Sequence, residues 1–165
     1  MEFGVHSIGA AIPKDNQAWL VNGISDAKRS ITLDLSTFVA DKDKEADYFA
    51  SLSDTDTVGY LKSGIPLARI TDTNLFGPYD PKATDGRQLK IEGLLESQFR
   101  VEFTRTGIKA DSTSAAMWYM AVIDTAELPY SVDGAAWGGL FLDRPKNAPV
   151  VNLSAAVAAT AGTKG

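Results

Sequence analysis

The chain has 165 residues and a mass of 17.6 kDa, with 44% hydrophobic and 22% charged residues, 14 Gly, 7 Pro, a single His and no Cys. That length predicts one domain burying roughly 70% of its unfolded surface, and the lack of cysteine excludes disulfides, thiolate nucleophiles and Cys-based metal sites. A net charge of −5 and a pI near 4.8 argue against a nucleic-acid partner, because phosphate binding draws its affinity from a basic face.

The longest apolar stretches, 117–123 and 155–161, are shorter than the roughly 20 residues a spanning helix needs, so no membrane partner is expected. Glu2 and the lack of a basic residue before Lys14 do not fit a secretory signal, and the expectation is a soluble protein made in a reducing cytoplasm. His6 lies among the first residues, where a solvated side chain is expected rather than a catalytic base.

In residues 1–29 the apolar positions Val5, Ile8, Ile12, Trp19, Leu20, Val21 and Ile24 are interrupted by Gly4, Gly9, Pro13 and Gly23, which leaves no room for a helix. The segment is expected to be an extended arm lying against a partner, with a first edge strand at 18–21 as the alternative. From Ser30, Ile31, Leu33, Leu35 and Val39 alternate with Thr32, Asp34 and Ser36, the period of a half-buried strand.

The run DKDKEAD at 41–47 is expected to open a short helix continuing through Tyr48, Phe49 and Leu52. It is not a calcium loop, because Ala46 and Leu52 stand where an EF-hand requires Gly and a bidentate Glu. The run from Asp54 places Gly59 correctly but puts Val58 and Ile65 at ligand positions. Two short strands are expected at 58–61 and 65–70 around the turn Lys62-Ser63-Gly64, followed by a long structured loop over 74–86. Strands are expected at 89–95, broken by Gly93, and at 98–104, with Phe99, Val101 and Phe103 inward. The run at 115–123 fits either a buried strand or a short helix. One more strand is expected near 137–142, and the aromatic-free, Ala-rich end from 145 is expected to be a tail or a short docking helix.

These elements predict a small, mostly β domain (all-β to α+β) with one or two short helices. The expected division is an arm at 1–29, a domain at 30–144 of about 115 residues, and a tail at 145–165.

The candidate chemistry is sparse. Asp80 with Asp85, or Glu92 with Glu96, could be posed as an acid–base pair, but acids in Gly/Pro loops ordinarily make Asx turns. Ser25 and Lys28 have the Ser-x-x-Lys spacing without its companion motifs, and no phosphate-binding or nucleophile-elbow motif occurs. No catalytic residue, metal site or cofactor is expected. Trp19, Trp118 and Trp137 could line a sugar platform, although buried anchoring is the commoner use of tryptophan. Between Lys109 and Arg144 the only charges are Asp111, Asp124, Glu127, Asp133 and Asp143, which would form an acidic face if gathered on one side and disperse otherwise.

Residues 63–95, SGIPLARITDTNLFGPYDPKATDGRQLKIEGLL, carry Pro66-Leu67, a loop ending Ala83-Thr84-Asp85-Gly86, and Gly93 before Leu94-Leu95; Leu128-Pro129 follows the later apolar run. In these features the chain resembles the head-decoration proteins of tailed bacteriophages, the lambda-type cementing family. The resemblance implies a non-enzymatic virion protein on the outer capsid surface, a trimer at local threefold positions that binds the major capsid protein through its N-terminal arm and stabilises the expanded shell. It also makes Pro66, Leu67, Asp85, Gly86 and Gly93 a structural turn motif. On the arm, Val5, Ile8, Ile12, Trp19 and Leu20 are the expected partner contacts, and deleting 1–29 is expected to leave the domain folded. This chain is longer than the lambda-type proteins, with an extra loop at 72–81 and the Ala-rich end. Another virion component or a carbohydrate-binding module is the alternative.

Overall fold

The computed structural model describes residues 12–50, 52 and 57–154, and its architecture is mostly β. Twelve strands are present among the described residues: β1 (Leu20–Gly23), β2 (Lys28–Asp34), β3 (Val58–Leu61), β4 (Pro66–Arg69), β5 (Phe76–Pro78), β6 (Gly93–Leu95), β7 (Phe99–Thr104), β8 (Gly107–Ile108), β9 (Ser112–Trp118), β10 (Met120–Ile123), β11 (Leu140–Asp143) and β12 (Val151–Asn152). A single helical turn, α1 (Glu45–Tyr48), follows a 3-10 segment at Lys42–Lys44 whose entry is capped by Asp41, its carboxylate accepting from the Asp43 amide at 3.0 Å. The charged run therefore does open a helix, but Phe49 is already extended and bridges to Leu61 instead of continuing it.

Strands β2-β5-β4-β6-β9 close into a barrel. Its longest seam is the antiparallel β2–β9 pair, in register from Lys28↔Trp118 to Asp34↔Ser112. The alternation from Ser30 places Ile31 and Leu33 inside, and the strand ends where Asp34 caps a 3-10 turn at Leu35–Phe38. Part of the expected 74–86 loop is a strand: β5 pairs antiparallel with β4 (Leu67↔Pro78, Ala68↔Gly77, Arg69↔Phe76) and parallel with β2 at Leu33↔Phe76. Of the strand expected at 89–95 only β6 forms, and Leu89 is 64% exposed.

The run at 115–123 is neither one strand nor a helix. It breaks at Tyr119, giving β9 to the barrel and β10 to a four-stranded sheet of order β1-β10-β11-β12. In that sheet β1 and β12 run antiparallel to their neighbours, whereas β10 and β11 are parallel, with Met120↔Leu140 and Val122↔Leu142 side by side. The third sheet, β3-β7-β8, carries Val101 buried and Phe99 and Phe103 partly so.

Two apolar clusters hold the layers together. One fills the barrel with Leu33, Phe38, Leu61, Leu67, Leu95 and Met117; the other, built on Trp19, Ile91, Leu94, Ile123, Trp137 and Phe141, joins the barrel to the inner face of the four-stranded sheet.

The division at residues 29 and 145 is not where the packing changes. Residues 13–29 are fastened to the domain. The Gln98 side chain donates to Pro13 O at 2.7 Å, Ser63 Oγ donates to Asn16 O at 3.1 Å, and β1 pairs with β10. The edge-strand alternative, shifted to Leu20–Gly23, is the one observed. At the other end the largely exposed stretch after Arg144 returns to the domain, where β12 pairs with β11 and Ser154 donates to Gly139 O.

Candidate interaction surface

In β10 and β11, Ala121, Ile123 and Phe141 point inward and are almost fully buried. The opposite face carries Met120, Val122, Leu140 and Leu142, with Leu140 61% exposed and Leu142 39%. An antiparallel sheet with one wet face normally alternates apolar with polar, whereas continuous apolar runs belong to strands covered on both sides. MAVI, and the LFL that opens β11, are runs of the second kind with one side uncovered. With Asn22, Ile24 and Asn152 these side chains shape a groove of about 280 Å³ lined by no charged residue among those described. Ile24 is 55% exposed beside it.

The expected arm contacts scatter. Val5 and Ile8 lie outside the described residues. Ile12 is 72% exposed, whereas Trp19 is 1% exposed and Leu20 packs against the core from β1. Trp19 is thus corrected from partner contact to core anchor. Its indole donates to Ser63 Oγ at 3.1 Å and lies over Gly64, which at φ +79° leaves the space that a side chain would fill.

The turn motif, by contrast, is brought together around β4, β5 and β6. Pro66 O accepts from the Tyr79 amide at 2.8 Å and from the Tyr130 hydroxyl at 3.3 Å. Leu67 is fully buried, and its carbonyl accepts from the Glu92 amide. Asp85 holds Arg87 by a 2.9 Å ion pair, and Arg87 in turn donates to Pro78 O at 3.2 Å. Gly86 has φ +109°, and a Cβ there would come 2.9 Å from Arg69 O. A Cβ on Gly93 would collide with the Trp118 carbonyl and the Met117 side chain. These five residues shape the barrel corner.

The carboxylates posed as acid–base pairs are each held by a base: Asp80 by Lys44 at 2.7 Å, Asp85 by Arg87, Glu92 by Arg69 at 3.2 Å and Glu96 by Lys28 at 2.9 Å. Burial raises the pKa of Asp80, but the hydrogen bonds from Lys44 and the Lys82 amide, with the charges of Lys44 and Arg87, outweigh it and hold the carboxyl below its ordinary value. The tryptophans posed as a sugar platform are all buried, Trp118 at 6% and Trp137 at 8% exposure. The acids between Lys109 and Arg144 also part company. Asp124 is buried as a cap and Asp143 binds Thr125 through its amide and hydroxyl, leaving Asp111, Glu127 and Asp133 exposed.

The apolar face itself was missed in the sequence because GLFLD and MAVI carry no mark of which side would be left open. The unbroken apolar runs Met120–Ile123 and Leu140–Leu142, without polar alternation, were the available signal. Comparison with protein-family models, curated proteins and solved structures returns no match for this chain.

Proposed function

We propose that the chain is a capsid decoration protein, a non-enzymatic cement that docks on the outer surface of an icosahedral phage head as a trimer at local threefold positions and stabilises the expanded shell. The observation that carries the reading is the uncharged face of Met120, Val122, Leu140 and Leu142, an apolar surface on strands whose sequence belongs to a covered sheet. The likeness of residues 63–95 to the decoration family, whose motif residues form one corner of the barrel, supports the same reading.

The mechanism is linkage. A protein that binds only the assembled, expanded lattice shifts the equilibrium toward that lattice by its binding free energy, and many copies on one shell multiply a modest contact.

The test is co-sedimentation of the purified chain with expanded heads assembled from the major capsid protein of the same phage, followed by cryo-EM of the particles. Saturable binding with density at the local threefold positions is expected, together with a higher melting temperature of the heads. Heads that neither bind the chain nor gain stability from it would overturn the reading.

A further inference from the structure

The apolar groove does not stop at β11. Leu140 also lines a second depression of about 370 Å³, whose other walls include Arg29, Lys90, Glu92 and Tyr119. The charges in it are unequal. Glu92 is already held by Arg69 at 3.2 Å, whereas neither Arg29 nor Lys90 makes an ion pair among the described residues, and both are exposed. The stem of Lys90 runs over Gly138, where a Cβ would come 2.9 Å from its Cδ, so the glycine leaves the space that this lysine occupies. A chain with a net charge of −5 therefore places two cations without an ion pair among the described residues beside an uncharged apolar face, joined to it through one exposed leucine.

We infer that this composite surface receives a segment of the shell protein that carries apolar side chains for the Met120–Val122–Leu140–Leu142 face and a carboxylate positioned to reach Arg29 and Lys90. The inference rests on the decoration reading and adds the chemistry of the contact. Charge complementarity selects the occupant: an apolar segment alone would leave both cations unmatched at the rim. An Arg guanidinium beside a Lys ammonium suits a carboxylate, which the guanidinium grips with two parallel hydrogen bonds. The apolar face supplies contact area, and the cations set register and association rate.

The experiment measures binding to expanded heads by the wild-type chain, Leu140→Ala and the double variant Arg29→Glu/Lys90→Glu. The double variant should keep the wild-type melting temperature, since both side chains are exposed and neither is in an ion pair among the described residues, yet bind at least about tenfold more weakly. Wild-type binding should weaken as salt rises from about 50 mM to about 500 mM, and the double variant should lose that dependence. Leu140→Ala should bind more weakly at every salt concentration. Wild-type binding by the double variant overturns the inference and leaves the decoration reading standing. A double variant that binds heads normally but shows a lower mass in sedimentation equilibrium also overturns it, and assigns the surface to a second copy. Failure of the wild-type chain to bind heads removes both.

Discussion

At the scale of single residues, Gly93 lies under the backbone of β9 and Tyr48 lies between two aromatic rings. A glycine within an apolar run signals a bulge or a close backbone approach, and in the folded chain the approach is that of the Trp118 carbonyl and Met117 on β9. Since one of the obstacles is backbone, the site cannot relax by moving a flexible side chain. Gly93→Ala should cost about 2–3 kcal/mol, read as a lower urea midpoint at unchanged slope. An unchanged midpoint would contradict the close approach. Tyr48 carries no such mark in the sequence. Buried against Phe38 and Tyr130, its phenol is pushed up to about 12 by burial first and by the charge of Asp80 second. The folded pKa lies above the unfolded value near 10, so the neutral phenol's contribution is fully present below pH 10 and is lost as pH rises towards 12. Tyr48→Phe should flatten the decline in stability over that window by an amount on the order of 2 kcal/mol. Urea titrations between pH 8 and 12 measure it, and equal slopes for the two proteins would refute it.

At the scale of elements, strands with a regular period were legible and strands built from punctuation were not. β7 and β2 announce themselves by alternation, and 58–61 coincides with β3. β5 is Phe76-Gly77-Pro78, three residues of which two are ordinarily loop formers, and no local rule favours a strand there. It forms because its neighbours leave room. A Cβ on Gly77 would lie 2.5 Å from the Thr37 hydroxyl and 2.8 Å from Arg87, and Arg87, positioned by Asp85, holds Pro78 O. The Asp85-Gly86 turn was visible in the sequence, but its purpose as a clamp on a barrel strand depends on contacts from elements distant in the chain. Arg87→Ala should therefore cost about 2 kcal/mol and speed amide exchange at Phe76 and Gly77 more than in β3 and β7. A uniform change across all strands would indicate global destabilisation and no clamp.

At the scale of the whole molecule, the beginning of the described chain belongs to the core rather than to a free arm, which reverses an expectation drawn from its broken pattern. Gly and Pro interrupt the periodicity there because the segment is laid down contact by contact, not as a regular element. Pro13 and Asp15 bind Gln98, Asn16 binds Ser63, and Trp19 is enclosed beside Gly64. β1 then completes the sheet against β10, Ala27 accepts from the Tyr119 amide at 3.0 Å, and Lys28 and Arg29 start the longest seam of the barrel. Losing a buried tryptophan alone costs about 3–5 kcal/mol, against a total stability of about 5–15 kcal/mol for an ordinary domain. Deleting residues 1–29 should consequently abolish cooperative melting, whereas a chain beginning at Ile12 keeps every contact just named and should melt cooperatively. Calorimetry of the two truncations distinguishes these outcomes, and a cooperative transition in the shorter chain would mean that the domain does begin near Ser30. The consequence for docking is direct: a loss of head binding after the longer deletion would report unfolding, so binding by any arm must be measured on the chain that retains Trp19.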